Sequence, residues 1–237
     1  MPAEPPERLT RGAMAAPAGA GRPVVGARGG AGDACPARLP TPLRARTVRR
    51  MNERESLRAL LVRRSVTLGS FTLASGARSD YYVDARLTTM TAEGQALVGL
   101  VVLDAIERSG LAPTHVGGLT MGADPVAYAV AHRSFLEGRP IDAFSVRKER
   151  KEHGAMRQVE GGLPGDARCL MVEDSMTTGA STLRAIEVVE VHGAAVVGVL
   201  TLVNRSEGAE ALYRERGLPL LWIFTGAELL DAARSAT

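Results

Sequence analysis

The chain has few aromatic residues and lacks long hydrophobic runs. Aromatic residues make up 4% of its 237 positions, whereas apolar residues make up 45%. With so few aromatic residues, the hydrophobic core has to be built mainly from Val, Leu, Ile and Ala, as in parallel sheets flanked by helices. No segment reaches the roughly 18 consecutive apolar residues of a membrane span, and the N-terminus lacks the apolar core of a secretory signal. We therefore expect one α/β domain without a membrane partner.

Cysteine is also scarce. Cys35 and Cys169 are too few for a disulfide framework and lack the spacing of a metal site. Cys169 lies in an apolar run, where a small buried residue is the simplest interpretation. The scarcity of cysteine favours a reduced, cytoplasmic compartment.

The net charge of +3 is unevenly distributed. Residues 1–50 contain nine arginines and three acids, a balance of +6, which leaves −3 for residues 51–237. The basic excess therefore belongs to the N-terminal segment, and the mildly acidic remainder argues against a nucleic-acid partner.

Residues 1–50 are rich in Ala, Pro, Gly and Arg and show no periodicity. Such a stretch buries too little apolar surface to offset its conformational entropy, so we predict a disordered tail before a domain at 51–237. Three interpretations stay open: a flexible tail, an organellar transit peptide, or an upstream segment before a true start at Met51. The absence of serine from this segment weakens the second, and the position of Met51 directly before the first periodic segment favours the third.

From Met51 onward, apolar periodicity predicts alternating elements. Leu57, Leu60 and Leu61 mark one face of an opening helix, and a hairpin follows over 66–75 with its turn at Gly69-Ser70. Further strands are predicted at 81–84, 115–119, 141–146, 168–172, 195–203 and 220–224, and helices at 92–108, 123–136, 180–192, 207–216 and from 227. Repeated βα units imply a parallel sheet flanked by helices, which binds ligands beyond the carboxyl ends of its strands.

The strongest functional signal is the run Cys169-Leu-Met-Val-Glu173-Asp174-Ser175-Met176-Thr177-Thr178-Gly179-Ala180-Ser181. An apolar strand ends in two acids, followed by small hydroxyl residues, a glycine and a helix. Glycine allows close backbone approach, and the N–H groups at a helix N-terminus suit a phosphate. Carboxylates beside an anion site would serve sugar hydroxyls or a divalent cation. Helix capping would explain Thr-Thr-Gly alone, but it does not explain the whole arrangement.

A second signal is the basic run Arg147-Lys148-Glu149-Arg150-Lys151-Glu152-His153-Gly154, which follows a predicted strand. It opens a long polar stretch to Asp166, and connections of this length are often functional lids. Its cations suit a pyrophosphate leaving group, and His153 is a further donor to the same group. Charge runs are usually solvated surface, but the position at the carboxyl side of the sheet favours a binding role.

These two runs resemble known signatures. The first resembles the phosphoribosyl pyrophosphate (PRPP) signature of type I phosphoribosyltransferases, and the second resembles the catalytic loop of the orotate phosphoribosyltransferases. The resemblance implies a type I phosphoribosyltransferase fold with a small N-terminal hood. It implies a pentosyltransferase that converts orotate and PRPP into orotidine 5′-monophosphate and pyrophosphate, in pyrimidine (UMP) biosynthesis. It also implies Mg²⁺ held mainly through PRPP, and a homodimer in which the catalytic loop is shared across the interface.

The resemblance assigns roles to individual residues. The catalytic residues would be Lys151, Arg147 and His153, and orotate would contact Thr177 and Arg205. PRPP would contact the basic loop (residues 147–154), the two acids, and the phosphate loop that follows them (residues 175–181). Its contacts would be Arg147, Lys148, Lys151, His153, Glu173, Asp174, Ser175, Met176, Thr177, Thr178, Gly179, Ala180 and Ser181.

Two more segments resemble the family, and two positions depart from it. Residues 71–84 look like the hood over orotate, and 117–125 look like the pyrophosphate loop, although ordinary strand packing and a plain turn would also explain them. Many members carry lysine where this chain has Gly122 and Ala74. Arg78 or Arg86 is then the expected substitute cation.

Two other functions compete with this interpretation. A purine phosphoribosyltransferase would keep the PRPP loop but would not require the basic loop or Arg205. A PRPP-sensing, nucleic-acid-binding regulator would require a basic surface on the folded part, which the balance of −3 opposes.

Overall fold

The computed structural model of the protein describes residues 43–72, 78–149, 158–205 and 208–236, with side chains from residue 52 onward. The helices are α1 (Leu43–Ser65), α2 (Arg86–Thr89), α3 (Ala92–Ser109), α4 (Ala123–Leu136), α5 (Ala180–His192), α6 (Ala209–Glu215) and α7 (Gly226–Ser235). The strands are β1 (Val66–Thr72), β2 (Arg78–Val83), β3 (His115–Leu119), β4 (Asp142–Val146), β5 (Val159–Glu160), β6 (Arg168–Met176), β7 (Ala195–Asn204) and β8 (Leu220–Thr225). None of the helices in these ranges is long and apolar enough to cross a membrane.

The main sheet has six strands in the order β5-β4-β3-β6-β7-β8. All neighbouring strands are parallel except β5, which pairs antiparallel with β4. After β3 the chain builds outward on one side, and from β6 it builds outward on the other. The carboxyl ends of β3 and β6 therefore flank the point where the strand order reverses, which is where open α/β sheets bind ligands.

Both faces of this sheet are covered. On β6, Leu170 and Val172 face a core built with α1, α3 and α4. Cys169 and Met171 face a second core built with α5 and α6. Successive strand residues point to opposite faces, so a strand covered on both sides reads as a continuous apolar run. The predicted α/β fold with a parallel, helix-flanked sheet is confirmed.

A separate two-stranded sheet, β1–β2, forms the hood. The predicted turn at Gly69-Ser70 is wrong, because both residues lie inside β1, at a register shift between Leu68 and Phe71. Glycine within a strand marks a bulge as readily as a turn. The rings of Phe71 and Tyr82 lie 5.7 Å apart across the two strands, and β1 is joined to β2 through residues 73–77, which lie outside the described part.

Two other boundaries differ from those predicted. Helix α1 begins at Leu43, so residues 43–50, which were expected to belong to the disordered tail, are helical. Arg44, Ala45 and Arg46 are good helix formers. The rest of the predicted tail lies outside the described residues. Strand β6 continues four residues beyond its predicted end at Val172 and reaches Met176.

Candidate functional site

The two acids of the predicted phosphate motif lie in the last part of β6. Glu173 pairs in register with Thr201 of β7, so backbone pairing continues through both acids. Neighbouring strand residues point to opposite faces, and the two side chains accordingly have different surroundings. Glu173 faces α5, whereas Asp174 faces the turn before α4. The structure therefore places two carboxylates at the sheet edge but does not direct them at one atom.

The Glu173 carboxylate is half-buried and accepts a hydrogen bond from the Thr182 hydroxyl of α5. Burial raises the pKa of Glu173 to about 7, an effect that the Thr182 hydrogen bond reduces and the charge of Asp174 increases. Near neutral pH this side chain can therefore bind or release a proton.

Asp174 is buried, and its Oδ1 accepts the backbone N–H of Ser175 at 2.8 Å. Burial raises the pKa of Asp174, while the Ser175 N–H and the charge of Arg86 lower it. Arg86 itself donates two hydrogen bonds to the carboxylate of Asp84, at 2.9 and 3.0 Å. An arginine thus lies close enough to influence the charge of the buried acid.

The loop between β6 and α5 consists of Thr177, Thr178 and Gly179. Both threonines are exposed, whereas Gly179 is buried and adopts a left-handed φ of 74°. This conformation favours glycine, and it turns the chain directly into α5. The hydroxyl of Tyr213 in α6 donates a 2.8 Å hydrogen bond to the Gly179 carbonyl oxygen. The N-terminal N–H groups of a 13-residue helix therefore open onto an exposed, hydroxyl-rich loop.

The neighbouring loop follows β3 and leads into α4. Two glycines of β3 allow close approach: a Cβ atom at Gly117 would stand 2.2 Å from the Phe144 carbonyl oxygen, and one at Gly118 would stand 2.4 Å from that of Val172. The loop then runs through Thr120, Met121 and Gly122, with a cis peptide bond between the first two. It lies beside β6, at the same edge of the sheet as the phosphate loop.

Arg205 follows β7 and connects this edge to the hood. Its backbone N–H donates a 2.8 Å hydrogen bond to the Met176 carbonyl oxygen. Its guanidinium carbon lies 5.5 Å from the ring centroid of Tyr81 and 6.0 Å from that of Tyr82, distances at which a cation and an aromatic face attract. The Nε atom of Arg205 is buried and has no hydrogen-bond partner within the described part of the chain.

The first residues of the basic loop, beginning at Arg147, directly follow β4. Arg147 and Lys148 are exposed, and the Arg147 guanidinium lies 3.3 Å from the Glu160 carboxylate. Lys148 shares the lining of a cavity of about 770 Å³ with Ser181 of α5. Lys151 and His153 lie outside the described residues.

Three comparisons with known proteins agree. A model of the phosphoribosyl transferase domain matches residues 102–217. The orotate phosphoribosyltransferase of Aquifex aeolicus is 41% identical over 183 residues, which cover 76% of this chain and 99% of that protein. The crystal structure of the Mycobacterium tuberculosis H37Rv orotate phosphoribosyltransferase matches with a TM-score of 0.66 and 44% identity, covering 75% of this chain and 98% of that one.

The chain belongs to the orotate phosphoribosyltransferase family. A further crystal structure of the M. tuberculosis enzyme, in complex with 5-phospho-α-D-ribosyl 1-diphosphate, has a TM-score of 0.61 and 39% identity, again covering 75% of this chain and 98% of that one. The family and the type I fold expected from the sequence are thereby confirmed.

The structure brings most of the site residues expected for an orotate phosphoribosyltransferase to one edge of the main sheet. Glu173, Asp174, the phosphate loop and Arg205 all lie at the carboxyl ends of β6 and β7. Ser175 is half-buried beside Asp174, and Ala180 and Ser181 open α5. Met176 differs, because its side chain lies in the core and only its backbone is available to a ligand.

Sequence reasoning missed two residues that hydrogen-bond to residues of the candidate site, namely Thr182 to Glu173 and Tyr213 to Gly179. Thr182 and Tyr213 lie inside helices and are buried, where a hydroxyl residue carries no local signal of a role. Arg86 was one of two candidate cations, and the structure separates them. The charge of Arg86 lowers the pKa of Asp174. Arg78 lies in β2 and lines a cavity together with Gly69 and Asp80.

Proposed function

We propose that the edge between β3 and β6 is an active site that transfers the ribose 5-phosphate group of PRPP to orotate. The reaction is that of the family, in which orotate and PRPP give orotidine 5′-monophosphate and pyrophosphate, a step in pyrimidine biosynthesis. The observation that carries the proposal is the junction of β6, Gly179 and α5 at the strand-order reversal, in a chain of this family.

The phosphate loop is proposed to bind the 5-phosphate of PRPP. Its exposed hydroxyls and the N–H groups at the start of α5 are donors that suit a phosphate dianion. The proposed contacts are Ser175, Met176 through its backbone, Thr177, Thr178, Gly179, Ala180 and Ser181. Glu173 and Asp174, at the end of β6, would accept hydrogen bonds from the ribose hydroxyls.

Orotate is proposed to bind between the hood and Arg205, with Thr177 beside it. The buried Nε of Arg205 has a donor without a partner among the described residues, and an unpaired buried donor is costly. A carboxylate is the partner that a guanidinium fork fits best. Tyr81 and Tyr82, whose ring centroids lie 5.5 and 6.0 Å from the guanidinium carbon, would cover the substrate ring.

The residues of the site suit Mg²⁺ held mainly through the substrate. The described residues contain no group of three or more His, Cys, Asp or Glu side chains arranged to hold a metal. Mg²⁺ binds typically through one or two carboxylates together with substrate phosphates. Because Glu173 and Asp174 face different elements, one of them at most would contact the ion, and PRPP and water would supply the other ligands. When bound, Mg²⁺ would neutralise charge that develops on the pyrophosphate.

The chemical step breaks the bond between the anomeric carbon and pyrophosphate and forms a bond from that carbon to a ring nitrogen of orotate. Orotate carries its negative charge on the carboxylate, and its ring nitrogen loses a proton as the new bond forms, a proton that the departing pyrophosphate can accept. The difficult part is the departure of pyrophosphate. Arg147, Lys148, Lys151 and His153 are proposed to neutralise its charge, with Lys151, Arg147 and His153 acting as the catalytic residues. Arg86 is proposed as the additional cation, in place of the missing loop lysine.

Three properties of the whole protein are part of the proposal. It would act as a homodimer that shares the basic loop across the interface, and it would act in the cytoplasm. Residues 1–42 would be dispensable for the reaction, because every group assigned to the site lies after them. Activity of a chain that begins at residue 43 would support this division.

The test of the function is orotate consumption, followed by ultraviolet absorbance, with PRPP and Mg²⁺ and the full chain. Consumption of orotate, with adenine, guanine and hypoxanthine inert, is the expected result. Use of a purine instead would favour the purine phosphoribosyltransferase. If all four bases stay inert, binding of PRPP together with RNA or DNA at low salt would favour the regulator.

A further inference from the structure

The hydroxyl of Tyr213 is a buried polar group with no role in the reaction described above. Tyr213 is fully buried in α6. Its hydroxyl donates to the carbonyl oxygen of Gly179, which is 34 positions earlier in the chain. The hydrogen bond therefore connects a helix that carries no substrate-binding residue with the loop proposed to bind phosphate.

The contact between Tyr213 and Gly179 is close as well as polar. A Cβ atom at position 179 would stand 2.7 Å from the Tyr213 hydroxyl oxygen. The hydroxyl therefore occupies the space beside the loop that any larger residue at 179 would need. It supports the backbone at the point where the left-handed φ of 74° turns the chain into α5.

The hydrogen bond also determines the direction of one N–H group. The Gly179 carbonyl oxygen accepts from Tyr213 and, at 2.9 Å, from the Leu183 backbone N–H. In a planar trans peptide the carbonyl and the following N–H point in opposite directions. The two donors, one from α6 and one from α5, therefore hold the Ala180 N–H on the opposite side of the peptide. There it donates a 3.4 Å hydrogen bond to the hydroxyl of Thr178, which is exposed in the loop.

Tyr213 remains a donor over the neutral pH range. Burial raises the pKa of its hydroxyl to about 12, with a smaller opposing effect from Thr182 and a smaller supporting effect from the charge of Glu173. The hydroxyl keeps its proton under the conditions in which the enzyme would work.

We propose that Tyr213 is a positioning residue for PRPP, whose hydroxyl orients the Gly179–Ala180 peptide so that the Ala180 N–H faces the 5-phosphate. The inference rests on the proposed function, because it takes this loop to be the phosphate site.

The test is the substitution Tyr213→Phe, which removes one oxygen and keeps the buried ring. We expect the KM for PRPP to rise about fivefold, the effect of one net hydrogen bond, while kcat and the KM for orotate stay unchanged. Tyr128→Phe is the matched control, because Tyr128 is an exposed residue whose hydroxyl is 3.0 Å from the Ser145 hydroxyl, which lies in β4 and not in the phosphate loop. The control should leave the KM for PRPP unchanged.

Two results would overturn the inference: an unchanged KM for PRPP in Tyr213→Phe, or an equal rise in the KM of both substrates, as general loosening of the fold would produce. Calorimetric titration of both variants with PRPP makes the comparison without turnover. If the wild-type chain binds PRPP but consumes no orotate, the proposed function fails, and weaker PRPP binding by Tyr213→Phe still supports the role of Tyr213.

Discussion

Gly122 and Asp174 are in such close contact that a Cβ atom at position 122 would stand 2.6 Å from Asp174 Oδ1. The backbone of Gly122 is right-handed, with φ −66° and ψ −41°, so alanine would cause no backbone strain. Its methyl group would instead displace the Asp174 carboxylate from the Ser175 N–H. We therefore expect Gly122→Ala to raise the KM for PRPP about tenfold, since hydrogen bonds to charged groups contribute about 1.5–3 kcal/mol. Steady-state kinetics with PRPP as the varied substrate measures this effect.

Two further variants serve as a control and a comparison for Gly122→Ala. Gly165→Ala is the control, because a Cβ atom there would have no neighbour within 4 Å, and it should behave as wild type. Asp174→Asn removes the charge itself and should weaken PRPP use at least as much as Gly122→Ala. If Asp174→Asn keeps wild-type kinetics, Asp174 does not belong to the site.

Both lysines of the chain, Lys148 and Lys151, lie in the basic loop. We expect Lys151→Ala to lower kcat about a hundredfold, as loss of one donor to a developing negative charge does, and to change PRPP affinity much less. Lys148→Ala serves as the matched comparison and should have the smaller effect on kcat. Normal turnover in Lys151→Ala would remove it from the catalytic group.

Because the chain has only two lysines, chemical modification of amines is an independent test of the basic loop. An amine-directed reagent can modify only these two side chains and the N-terminus. We expect it to inactivate the enzyme, and we expect PRPP with Mg²⁺ to protect it, with the modified positions mapped by mass spectrometry. Inactivation at the same rate with and without PRPP would contradict a PRPP-binding role for the loop.

Glu173 should make the stability of the ligand-free protein depend on pH. Its pKa is raised from 4.5 to about 7, so between these values the folded state keeps a proton that the unfolded state has released. Stability therefore falls as pH rises through this range, by up to about 3 kcal/mol for this group. Asp174, whose pKa is also raised, acts in the same direction. Urea unfolding at about pH 5 and about pH 8 should show a smaller difference for Glu173→Gln than for wild type, and equal differences would contradict the assignment.

Arg205 should determine the affinity for orotate and not that for PRPP. Arg205→Gln removes the charge that would face the orotate carboxylate and that contacts the Tyr81 ring. We expect the KM for orotate to rise at least tenfold, the effect of a lost charged hydrogen bond. Arg216→Gln is the control, since the side chain of this exposed arginine forms a long ion pair of 3.8 Å with Glu190, and neither residue is assigned to the site. A rise in the KM for PRPP alone would contradict the assignment.

Local sequence signals predicted the elements around the site better than those of the hood. Strand β3 and helices α4 and α5 have the predicted bounds, because strand alternation, glycines and helical periodicity mark their ends. The end of β6 was predicted too early because two consecutive acidic residues, Glu173 and Asp174, are typical of the end of a strand. Backbone pairing with β7 does not depend on the side chains and continues to Met176. The two-residue strand β5 is too short to have a pattern of its own.

The site was predictable only where it is local in sequence. The phosphate loop and its flanking acids lie within nine consecutive residues, so their order alone indicates an anion site. The contacts of Tyr213 with Gly179 and of Gly122 with Asp174 join residues far apart in the chain. They depend on the sheet order, which one sequence does not specify.

The two ends of the basic loop are tied together at its base. The Arg147 N–H donates to the Gln158 carbonyl oxygen at 2.8 Å, and the Gln158 side-chain amide donates to the Arg147 carbonyl oxygen at 2.9 Å. The ten residues between them begin and end at one fixed point on the sheet margin. Because the closure entropy of a loop grows only slowly with its length, insertions and deletions in this segment should be tolerated better than changes within β4 or β5, whose register is set at the base.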